Sequence, residues 1–120
     1  MRVLIVESEV NLGWLWKNHL ERFFPTVRLA RGQSEAVALI EREAFDVIVL
    51  DLVLAEGSAF AVADYASYRT PAAKVIFVTN TTFFYDGSIF QHIPNAYAFL
   101  PTETRPDDLA ALVEHYGAPH

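Results

Sequence analysis

The chain contains no cysteine, which excludes a disulfide framework, a thiol nucleophile and a thiolate metal site, and suits a reducing compartment. Positive charge is scarce: nine Lys and Arg face fifteen Asp and Glu, for a formal net charge of -6. The few cations are scattered, so the basic patch that a DNA-binding surface needs is missing and direct nucleic-acid binding is not expected. Long apolar runs are absent as well. The run after Arg2 is four residues long and gives way to Glu7 and Glu9, which does not make a signal peptide. No stretch is long enough to span a bilayer. These absences predict a cytoplasmic protein without a membrane partner.

What remains is apolar and regular. With 52% hydrophobic and 13% aromatic residues, the composition is far from that of disordered segments. A length of 120 residues predicts one domain, 1–120, with its own core. Short β-branched and aliphatic runs at about 2–6, 27–30, 46–50, 74–78 and 96–100 alternate with helical patterns. Such alternation predicts an α/β protein with a doubly wound parallel sheet, helices covering both faces. The first helix, 9–23, is expected to turn Leu12, Leu15, Trp16, Leu20 and Phe23 towards the sheet. His19 falls within that stripe and is read as a packing residue. The second, 33–43, places Ala36, Leu39 and Ile40 inward, and the third, 58–68, is alanine-rich. The last opens on Pro106, Asp107 and Asp108, which suit a helix N-terminus, and buries Leu109, Leu112, Val113 and Tyr116. A fourth helix around 82–87 is expected to be short or irregular, because poor helix formers there meet a glycine.

Two strands end in an acid. Asp51 follows Val47, Ile48, Val49 and Leu50, and Glu7 follows Val3, Leu4, Ile5 and Val6. Ligands of open α/β sheets sit beyond the carboxyl ends of the strands, so Glu7 and Asp51 should line one pocket. Without a cation between them the two should repel, raising the apparent pKa of the pair.

Four segments in order, Val3 to Glu9, Phe45 to Leu52, Val75 to Thr79 and Asn95 to Pro101, together resemble the receiver domain of two-component response regulators. The resemblance covers nearly the whole chain. It implies a flavodoxin-like sheet of order 2-1-3-4-5 with five helices. It also implies that Asp51 is the phosphoacceptor for a histidine kinase or phosphotransfer protein, that Thr79 is the switch residue contacting the phosphoryl group, and that Phe99 is the aromatic that moves with it. Magnesium would be held by Glu7, Asp51 and the backbone carbonyl of Val53, with Glu9 as an outer partner.

Two positions depart from the family pattern. Ser8 stands where a second metal-binding acid is expected, so magnesium binding should be weak or lost. Thr102 and Glu103 stand where a lysine and a proline are expected. Phosphoryl transfer depends on positioning and charge neutralisation, and a phosphoryl group carries roughly -1.5 to -2 of charge, so replacing that lysine should alter activation. The resemblance implies a phosphorelay signalling domain acting on a downstream effector protein. The alternative is a pseudo-receiver, a phosphorylation-independent interaction module. An enzyme is not expected: aspartyl-phosphate phosphatases usually carry a second aspartate two residues on, where this chain has Val53, and no Gly-x-x-x-x-Gly-Lys loop occurs. Phe83, Phe84 and Tyr85 follow Thr79 too closely to all face the core, and are expected at a homodimer or partner interface.

Overall fold

Side chains of a strand point alternately to opposite faces of a sheet, and that alternation builds two apolar layers here. A computed structural model describes residues 1–80 and 93–118. In chain order its elements are β1 (Arg2–Val6), α1 (Val10–Leu20), β2 (Thr26–Ala30), α2 (Gln33–Arg42), β3 (Val47–Asp51), α3 (Ala59–Arg69), β4 (Lys74–Thr79), β5 (Ala96–Pro101) and α4 (Pro106–Gly117). All strand pairings are parallel and the order is β2-β1-β3-β4-β5. Leu4, Val6, Ile48, Leu50, Val75 and Phe77 pack with Ala36 and Ile40 of α2 and Val62 and Ala66 of α3. The intervening residues Val3, Ile5, Val47, Val49, Ile76 and Val78 pack with Trp16 and Leu20 of α1 and Leu109 and Val113 of α4. Burial on both faces explains why the central strands read as unbroken apolar runs.

The expected sheet is present, with four helices among the described residues. The helix expected around 82–87, and with it Phe83, Phe84 and Tyr85, lies outside them. Three strands run one residue further than the apolar runs indicate: Asp51, Thr79 and Pro101 are the last residues of β3, β4 and β5. The first helix is shorter than expected. It ends at Leu20, so Phe23 falls in the following turn and is 58% exposed, while Leu15 lies off the buried line of Gly13, Trp16 and Leu20 and is 52% exposed. Phe24 takes the buried place instead. His19 is largely covered, its ring 5.4 Å from that of Phe23 and its Nε2 2.9 Å from Asp107 Oδ1 of α4, without a well-aligned hydrogen bond.

Register brings the strand ends together. Val6 pairs with Ala30 on one side and Leu50 on the other, so Glu7 and Asp51, one step later, emerge side by side. On the far side of β3, Asp51 pairs with Val78, and Thr79 with Pro101.

Candidate functional site

The carboxyl ends of β1, β3, β4 and β5 open into a cavity of about 430 Å³, lined by Glu7, Ser8, Glu9, Leu12, Asp51, Val53, Leu54, Ala55, Asn80 and Thr102. Asp51 is half-buried. Its Oδ1 accepts a hydrogen bond from the Val53 amide at 3.0 Å, which ties the acid to the start of the following loop. Glu7 is buried, with Oε2 accepting from the Glu9 amide at 3.0 Å. Its Oε1 is buried without a fixed donor. Glu7's carboxyl is accordingly pushed up from 4.5 to about 8, first by burial, then by the hydrogen bond to Asp51, with repulsion from Asp51 and Glu9 adding to them and the Glu9 amide opposing. For Glu7 the shift is upward, and loss of hydration contributes more to it than repulsion does.

The other expected residues make contacts that the structure defines one by one. Ser8 lines the cavity, yet its hydroxyl donates to the Arg31 carbonyl at 2.6 Å and accepts from the Ala55 amide at 2.9 Å. It is a bridge between loops. Glu9 caps α1, accepting from the amides of Asn11 at 3.2 Å and Leu12 at 2.7 Å, which meets two of the donors a helix start leaves open. Thr79 is buried at the end of β4 and its carbonyl accepts from the Thr102 amide at 2.9 Å; the lining there comes from Asn80. Thr102 reaches the cavity wall as a neutral side chain, and no Lys or Arg is among the described lining residues. Phe99 is half-buried, its ring 6.0 Å from that of Phe77. The Val53 side chain is exposed while its amide faces Asp51.

Sequence reasoning missed Asn80, Leu12, Leu54 and Ala55 as lining, and gave Glu56 no role. Asn80 could have been found by extending the fourth strand one residue; the others depend on how loops fold back.

Among the described residues no group of three or more His, Cys, Asp or Glu is arranged to hold a metal ion, and no helix is long and apolar enough to cross a membrane. Two carboxylates, one with a buried oxygen lacking a fixed donor, still form a donor set that suits a hard divalent cation completed by water.

No protein-family model matches the chain. It is 33% identical over 113 residues to the response regulator protein PilR of Pseudomonas aeruginosa, a match covering 94% of this chain and 24% of that protein. The chain thus spans about a quarter of the relative's length. Among solved structures, a CheY-like response regulator receiver domain protein from Methanospirillum hungatei superposes with a TM-score of 0.86 at 26% identity, covering 97% of this chain and 92% of that one. The non-phosphorylated HemR receiver domain of Leptospira biflexa gives a TM-score of 0.83 at 27% identity, with 99% and 98% covered. Sheet order, paired acids at the strand ends and end-to-end matches to receiver domains agree: the chain is a response regulator receiver domain.

Proposed function

We propose that Asp51 accepts a phosphoryl group in a phosphorelay and that this receiver is activated in an altered way. The observation that carries the reading is the placement of Asp51: at the carboxyl end of the central strand, open to a cavity, and oriented by the Val53 amide. An Asp51 carboxylate oxygen would form a bond to phosphorus as the bond from phosphorus to a donor histidine nitrogen breaks, the imidazole leaving. Glu7, Asp51 and the Val53 carbonyl would hold a magnesium ion. Such a cation neutralises phosphoryl charge. The binding is weak because the Ser8 hydroxyl is committed to Arg31 and Ala55. Thr79 keeps the switch position and Phe99 the aromatic one, while Thr102 leaves the phosphoryl group without a fixed cation. The donor is a histidine kinase or phosphotransfer protein and the recipient of the signal a downstream effector protein. The domain is a signalling module and not a metabolic enzyme. Phe83, Phe84 and Tyr85 are proposed, from sequence alone, as its contact to an effector or a second copy.

A second reading, the phosphorylation-independent pseudo-receiver, is favoured by the cavity lining, in which no Lys or Arg takes part. Incubation with magnesium and acetyl phosphate, followed by intact-mass measurement, separates the two. One added phosphoryl group on the wild type and none on Asp51→Asn supports the phosphoacceptor. No adduct, with no spectral response to beryllofluoride, supports the pseudo-receiver.

A further inference from the structure

The segment that follows Asp51 is fastened to the start of α2 by an unusual set of contacts. A helix N-terminus presents amides without intrahelical partners, and Ser, Thr, Asp or Asn usually meets them from the cap position. Here the cap is Gly32, which has no side chain to offer. Glu56 substitutes from 22 residues away: its carboxylate accepts from the Ser34 amide at 2.9 Å and the Ser34 hydroxyl at 3.2 Å, and its carbonyl accepts from the Gln33 amide at 3.0 Å. A carboxylate at that end also complements the helix dipole. In return the Gln33 side-chain oxygen accepts from the Ser58 amide at 2.8 Å. Next to this seam, Ser8 joins the Arg31 carbonyl to the Ala55 amide.

Glycine on both sides makes the approach possible. A Cβ on Gly32 would lie 2.7 Å from Glu56 Oε1 and 3.1 Å from the Glu56 carbonyl oxygen. Gly57 has φ +80°, and a Cβ there would collide with Gln33 Cβ. Neither position tolerates a side chain without opening the seam.

We propose that Ser8 and Glu56 are positioning residues, which clamp the segment after Asp51 onto the N-terminus of α2 and so keep the Val53 amide on the Asp51 carboxylate without a bound cation. On one side Leu52 is fixed by its amide to the Val78 carbonyl at 2.8 Å; on the other, Ala55 is fixed by Ser8. Only Val53 and Leu54 lie between these anchors, so few backbone conformations remain to them. Ser8 thus serves as a clasp between the loop before α2 and the segment after Asp51. As a role in phosphoryl transfer this rests on Asp51 being the phosphoacceptor.

Amide hydrogen exchange and chemical shifts, recorded on labelled protein in EDTA, test the clamp. Ser8→Ala is expected to raise exchange roughly tenfold at Ala55 and also at Val53, the scale of one lost hydrogen bond, while the core amides of β1 and β3 stay protected; Ser8→Thr, which keeps the hydroxyl, restores both. Glu56→Ala, at an exposed side chain, is expected to act at Ser34 and Val53 and gives the same readout should Ser8→Ala fail to fold. If Ala55 or Ser34 opens in these variants while Val53 keeps its shift and protection, the contacts are structural staples only and the positioning role is overturned. The acetyl phosphate experiment on the wild type reads phosphorylation separately: a missing adduct removes the phosphoacceptor while leaving the exchange result to decide the clamp.

Discussion

Glu7 and Asp51 leave adjacent parallel strands side by side, and the buried Glu7 holds a proton up to about pH 8 through burial and the hydrogen bond to Asp51. Near neutrality the pair therefore carries one negative charge fewer than its two carboxyl groups would suggest. Anything that binds Glu7 as a carboxylate must displace that proton.

Stability should depend on pH with a sign opposite to that of an ordinary carboxylate. Unfolded, Glu7 ionises near 4.5; folded, near 8. Between these values the folded state binds the extra proton, so its contribution is complete below about 4.5 and is lost as pH rises towards 8. Urea midpoints are expected to fall across this window, and Glu7→Gln to flatten the fall. An unchanged slope in the variant would assign the dependence to other groups.

Thr102→Lys puts a cation at the cavity wall. The yield or lifetime of the acetyl phosphate adduct is expected to increase, because the phosphoryl charge gains a fixed partner. The carboxyl titration of Glu7 should move downward in the same variant. An unaltered adduct and titration would mean that the lysine does not reach Asp51.

The cap on α1 can be measured alone. Glu9→Ala removes the acceptor for the Asn11 and Leu12 amides and is expected to cost about 1 kcal/mol in chemical denaturation. The sheet order does not depend on it.

Core and surface aromatics should separate cleanly. Phe77 is fully buried between Phe60 and Phe99, whereas Tyr68 on α3 is 82% exposed. Phe77→Ala is expected to cost about 3–5 kcal/mol and Tyr68→Ala less than about 0.5 kcal/mol. Denaturant midpoints of the two variants check the contrast.

The parallel sheet was legible because its signal is local: runs such as Val47 to Leu50 are apolar throughout, and the helices between them show their own period. The paired acids were legible for the same reason, each lying at the end of such a run. Phe23 departs from the expected stripe because the helix ends at Leu20, where the chain turns, and Leu15 because it lies off the buried line of Gly13, Trp16 and Leu20. The partners of Ser8, the Arg31 carbonyl and the Ala55 amide, were not legible because they stand 23 and 47 positions away. Glu56 carried no pattern at all, since it caps a helix to which it is not adjacent in sequence.

By itself, then, the order of residues determined the five strands, the covered faces of the sheet, and which acids stand at the strand ends, because strand and helix periods are set by near neighbours. Only the tertiary structure decided that the Glu7 carboxyl is buried beside Asp51, that Ser8 joins two loops, and that Glu56 caps α2. Those roles depend on hydrogen-bond donors and acceptors brought within about 3 Å of each other by packing, and that distance has no counterpart in a linear chain.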